Sequence, residues 1–105
     1  MTRRDLIRWL RLLDANPKTA GMTIRQLQML LHLNDPAFMS VGRRVKDIAQ
    51  DMIWDKPVVT RAATNLADRG FTVRKPDPFD MRGCFILITP EGQLLADRLV
   101  ARMNV

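Results

Sequence analysis

The sequence has one cysteine, Cys84, one histidine, His32, and no tyrosine. A lone cysteine closes no disulfide within the chain, and Cys84 with His32 makes no metal-binding set. A nucleophile–base pair would have to rest on His32 alone. That residue sits in a leucine-rich segment and reads as core or helix-end packing. Paired catalytic carboxylates, a glycine-rich phosphate loop and a nucleophile elbow are all missing. The chain is therefore expected not to be an enzyme and to use no metal and no cofactor. No apolar run approaches the ~18 residues of a membrane span; Phe85–Ile88 is among the longest. Beyond the basic N-terminus, Arg8 and Arg11 break up the apolar residues, so the uninterrupted apolar centre of a signal peptide is absent. A cytoplasmic, nucleoid-associated protein with no membrane partner is the expectation.

What remains is ordinary globular material. The 105 residues are 47% hydrophobic and 27% charged, which suits a single domain over 1–105 with one buried core. Lys and Arg number 17 against 11 Asp and Glu, a formal charge of +6. Such a balance suits a polyanionic partner. The excess is shared between residues 1–39 and 40–85 rather than gathered in one tract.

Apolar periodicity divides the chain. Leu6, Trp9, Leu10 and Leu13 form one stripe of a helix over 2–15, with Arg4, Arg8 and Arg11 on another face. Asn16-Pro17 stops it. Thr23 with Gln26 three residues on has the pattern of a capping box. It opens a helix through Leu27, Met29, Leu30 and Leu31 that ends near Asn34-Asp35-Pro36. Val45, Ile48, Ala49 and Met52 mark a short helix. Asp55, as N-cap, starts another over 56–69, with Pro57 in its first turn and Val59, Ala62, Ala63 and Leu66 inward. Gly70 is its stop. Phe71–Lys75 and Cys84–Thr89 then read as strands of a β-hairpin, joined by a loop of seven or eight residues rich in proline and aspartate. Thr89 as N-cap and Pro90 as first helical residue open a last helix over 90–103, with Leu95, Leu99 and Met103 inward. Trp54 is expected to close the core and Cys84 to act as a small hydrophobe. The methionines read as gap-fillers.

Short helix, tight turn, second helix and hairpin, in that order, make a winged helix-turn-helix. The fold class is mainly α with a small β-hairpin: a winged-helix core over 23–88, flanked by N- and C-terminal helices. Small residues at Ala49, Ala62 and Ala63 suit the close crossing of the two helices. From Met22 to about Leu99 the sequence resembles the MarR-type winged-helix transcriptional regulators. The likeness is carried by Met22-Thr23-Ile24-Arg25-Gln26, Val45-Lys46-Asp47-Ile48-Ala49 and Val59-Thr60-Arg61 with Leu66 and Gly70. It continues in Arg74-Lys75-Pro76-Asp77-Pro78-Phe79-Asp80-Met81-Arg82 and Leu87-Ile88-Thr89-Pro90-Glu91-Gly92.

The resemblance implies a sequence-specific regulator of double-stranded DNA, expected to be a repressor. It places the helix over 56–69 in the major groove and the wing over 71–88 at the minor groove. Lys56, Pro57, Thr60, Arg61 and Thr64 would face the groove, with Asn65 at the border. Arg61 suits a guanine edge. The resemblance also implies that Arg82 enters the minor groove, oriented by Asp80, with Arg74 and Lys75 along the wing. Met81 stands where the family often has a charge. Arg43, Arg44 and Lys46 would touch the DNA backbone. A homodimer through the terminal helices is expected, because one recognition helix reads few base pairs. Short terminal helices leave little room for an effector, so no small-molecule control is expected. The alternative reading is a winged-helix module that binds another protein without specific DNA readout.

Overall fold

The computed structural model describes residues 2–103, Met103 by its backbone alone. The inward position expected at Met103 therefore lies outside the described side chains. Five helices and a small sheet occur in the order α1 (Arg3–Ala15), α2 (Ile24–Leu33), β1 (Arg43–Arg44), α3 (Val45–Met52), α4 (Lys56–Asp68), β2 (Thr72–Asp77), β3 (Asp80–Ile88) and α5 (Pro90–Met103). The sheet is antiparallel, with β3 in the centre and β1 and β2 at the edges.

Local chemistry sets the helix ends. Thr2 Oγ1 accepts from the Asp5 N–H, and Asp5 accepts from the Thr2 N–H, both at 3.1 Å. This box also draws the Asp5 carboxyl below its usual range, chiefly through the Thr2 backbone donor. Thr23 and Gln26 make the expected box at α2. At α5, Thr89 Oγ1 accepts from the Gly92 N–H at 3.1 Å and donates to the Gly70 carbonyl at 2.6 Å. Asp55 holds the N-cap position of α4, but its side chain makes no capping bond. Its carbonyl accepts from Val58 and Val59 instead. Asn16 ends α1, and Thr19, buried beyond it, donates its hydroxyl to the Leu13 carbonyl at 2.5 Å.

One core joins α2, α3, α4, β3 and α5. Met29, Leu30, Leu33, Ile48, Val59, Leu66 and Ile86 are its large fully buried side chains. Each contributes roughly 1.5–3 kcal/mol by burial. Trp54 and Cys84 pack against it, as expected. Leu95, Ala96 and Leu99 seal it from α5. Helix α1 belongs to the core mainly through Leu13, with Trp9 Nε1 donating to the Leu99 carbonyl of α5 at 3.2 Å. The rest of its stripe is open: Leu6 and Leu10 are exposed, as are Ile7 and Leu12.

The hairpin departs from expectation. Its strands are longer and its loop is only Pro78-Phe79. Pro76 pairs with Cys84 inside the ladder, next to a register shift at Asp77. Proline is tolerated there because β2 is an edge strand and the shift relaxes the ladder. Strand β1 is a further departure; Arg43 pairs with Ile86 and Arg44 with Phe85. Gly42 precedes it at φ +76°, where a Cβ would lie 2.8 Å from the Ile86 carbonyl oxygen.

Candidate nucleic-acid interface

Helices α3 and α4 are joined by Ile53, Trp54 and Asp55. Ile53 ends α3 in the left-handed region, φ 57° and ψ 48°, which a β-branched side chain rarely adopts. The turn is closed by the Trp54 N–H on the Ala49 carbonyl at 2.9 Å. Helix α4 buries Val59, Ala62, Ala63 and Leu66. The opposite face therefore lies open, with Lys56, Pro57, Thr60, Arg61 and Thr64 exposed and Asn65 half-buried.

The wing is tied to this helix. Arg74 of β2 donates to the Thr60 carbonyl at 3.1 Å and to Thr64 Oγ1 at 2.6 Å. Thr64 in turn donates to the Thr60 carbonyl at 2.9 Å. Both hydroxyl functions of Thr64 are thus engaged. Arg74 acts here as a strut between wing and helix. From the same face of β2, Thr72 Oγ1 donates to the Ala63 carbonyl at 3.3 Å.

Between the starts of α3 and α4 and the wing lies a groove of about 410 Å³. Lys46, Lys56, Thr60 and Arg82 line it, along with Asp77 and Asp80. Asp77 is buried; its Oδ2 stands 2.9 Å from Arg44 Nε, off the N–H line, as an ion pair rather than a directed hydrogen bond. Arg44 also lies over the Phe85 ring, 5.2 Å from its centroid. Asp80 Oδ1 accepts from the Arg82 backbone N–H at 3.0 Å. Asp80 therefore holds the ribbon at Arg82 by its main chain, where the resemblance implied a grip on the guanidinium.

Arg43 is placed away from this groove. It donates to both Asp51 oxygens, at 2.9 and 2.8 Å, and reaches Asp47 at 3.8 Å. His32 Nε2 meets the same Asp51 at 2.9 Å. The Phe38 ring lies against both side chains: 5.0 Å from the Arg43 guanidinium and 5.2 Å, ring to ring, from His32. Arg43's hydrogen bonds hold the Asp51 carboxyl down at about 2, and the pair raises Arg43 in turn. This cluster clamps α2, β1 and α3 together. His32 is thus helix-end packing with a partner.

Among the described residues, no ion pair or side-chain hydrogen bond engages Lys46, Lys56, Arg61, Lys75 or Arg82. Arg25, overlooked in the sequence, joins them: it lines a cleft of about 230 Å³ with Arg61 and Asn65 at the start of α2. Its signal was its place two residues after the Thr23 cap, on the outward side of α2. Arg3, Arg4, Arg8 and Arg11 form a separate basic ridge along α1.

No protein-family model and no curated protein sequence matches the chain. Solved structures do. The S. aureus MepR–DNA complex superposes with a TM-score of 0.77 at 22% identity, over 97% of this chain and 75% of that one. Wild-type MarR from E. coli in its apo form gives 0.74 at 21%, over 96% and 66%. The MarR protein of Peptoclostridium difficile gives 0.73 at 19%, over 96% and 60%. What is shared at these identities is the fold: the chain has the winged-helix architecture of MarR-type regulators. It spans 60% to 75% of the lengths of these three structures.

Proposed function

We propose that the chain works as one winged-helix unit that binds double-stranded DNA as a homodimer and represses transcription. Helix α4 enters the major groove and the β2–β3 wing lies at the minor groove. The observation that carries this reading is the set of unengaged cations at α4: Lys46, Lys56 and Arg82 line the groove beside it, and Arg61 stands on its exposed face. Cations held to internal acids would have little to offer phosphates; these are not so held. Arg61 projects from the middle of α4, where a guanidinium suits the O6 and N7 acceptors of guanine. Lys46, Lys56 and Lys75 suit phosphates, which fix register without reading sequence. Arg43 and Arg44 are engaged internally and serve the frame.

A dimer is supported by the exposed apolar side chains of the terminal helices: Leu6, Ile7, Leu10 and Leu12 of α1, with Leu94 and Val100 of α5. A two-fold pair would present two α4 helices to successive major grooves. The test is duplex binding against salt. If each protomer neutralises about three phosphates, the dimer's log–log slope is about −5. A slope near zero, with tight capture of a protein partner, would favour the protein-interaction module instead.

A further inference from the structure

The wing tip carries two apolar side chains that the fold does not use. Phe79 is 88% exposed and Met81 100%. Neither belongs to the core or packs against it. Neighbouring bare apolar groups of this size on a tight turn mark a contact site. The tip is also stiff. The Phe79 N–H is held by Asp77 Oδ1 at 2.9 Å and the Arg82 N–H by Asp80 Oδ1 at 3.0 Å. Side chains alternate along a strand, so Met81 and Arg82 leave β3 on opposite faces. Arg82 takes the groove side, with Lys56 and Lys46.

We propose that this tip is a wedge: Phe79, with Met81 beside it, enters the minor groove of duplex DNA, partly unstacks one base step and kinks the duplex. The proposal rests on the DNA-binding reading above. Charge and size name the occupant. Lys75 and Arg82 flank the tip without acidic partners, while the neighbouring carboxylates of Asp77 and Asp80 are occupied by Arg44 and by backbone N–H groups. Such a border suits the phosphates that wall the minor groove. A two-stranded ribbon, with strands about 4.8 Å apart before side chains are added, does not fit a B-form minor groove about 6 Å wide. It goes in tip first, or the groove opens. Apolar side chains inserted between base steps open it and bend the helix away. The apolar tip thus turns the poor fit of the wing into a deformation, and favours sequences with easily unstacked pyrimidine–purine steps.

The test places a TA step at varied distances from the ends of duplexes of one fixed length and reads the bend from the gel mobility of the saturated complexes at low salt. Wild type is expected to bend the duplex by at least about 20°. The double variant Phe79→Ser with Met81→Ser is expected to bind roughly tenfold more weakly and leave the duplex straight. Phe79→Trp alone, which keeps a large aromatic at the tip, should keep the bend. Both positions are exposed, so unchanged melting confirms the fold of each variant. A straight duplex under bound wild type, or equal bending by the double variant, overturns the wedge and leaves the DNA-binding reading standing. Absence of duplex binding by wild type overturns both.

Discussion

Replacing Asp51 by Asn should loosen the helix-turn-helix at its frame. Asp51 sits on α3 and receives two bonds from Arg43 of β1 and one from His32 of α2. Its carboxyl is held at about 2 rather than the ordinary 3.8. A carboxylate favoured this way stabilises the folded state above its unfolded pKa, near 4. That stabilisation is lost as pH falls from there through 2. Fully sheltered, the difference would correspond to about 2.5 kcal/mol. The side chain keeps 23% of its exposure, and water screens the pair, so about 1 kcal/mol is the reasonable figure. For a chain of this size, 1 kcal/mol moves the melting temperature by roughly 4–8 °C. Thermal melts of wild type and Asp51→Asn at pH 7 and across pH 4 to pH 2 read this directly. The variant should melt lower at pH 7 and lose part of the acid dependence. Melting within about 1 °C of wild type at pH 7 would refute the clamp.

Other perturbations act on single contacts. At Gly92, in the first turn of α5, an added Cβ would collide with the Phe71 carbonyl. Gly92→Ala should therefore cost about 3 kcal/mol or more in chemical denaturation. Ile53 stands 92% exposed in left-handed conformation, where asparagine is better tolerated. Ile53→Asn should raise stability by about 1 kcal/mol, measured the same way. Arg61→Ala should weaken binding to a preferred duplex by roughly 1–3 kcal/mol and relax discrimination at one base pair, read by titration against single-base variants.

The helical frame is legible in the sequence because it is periodic and punctuated. Thr23–Gln26, Asn16-Pro17, Gly70 and Thr89-Pro90 each act on backbone within a few residues of themselves, so sequence alone locates them. The α4 face emerges by subtraction, once Val59, Ala62, Ala63 and Leu66 are assigned inward. The hairpin loop is shorter than its residues suggest because Pro76 and Asp77 look like turn residues; only an edge position with a register shift lets them lie in a strand. Strand β1 is two residues long and exists only by pairing with β3, a contact without local signal. The same holds for side-chain partners. Arg43, Arg44 and Arg74 resemble any surface arginine in sequence, yet the fold ties them to Asp51, to Asp77 and to the Thr60–Thr64 turn. Arg61 and Arg82 differ only in having no such ties.

The central claim is that the open face of α4 reads duplex sequence. Selection from a pool of random duplexes at near-physiological salt, with the bound fraction sequenced, tests it most directly. The account predicts a recovered palindrome with half-sites about one helical turn apart, roughly 10–10.5 base pairs centre to centre. That motif should be lost with Arg61→Ala. A bound pool indistinguishable from the input would contradict it.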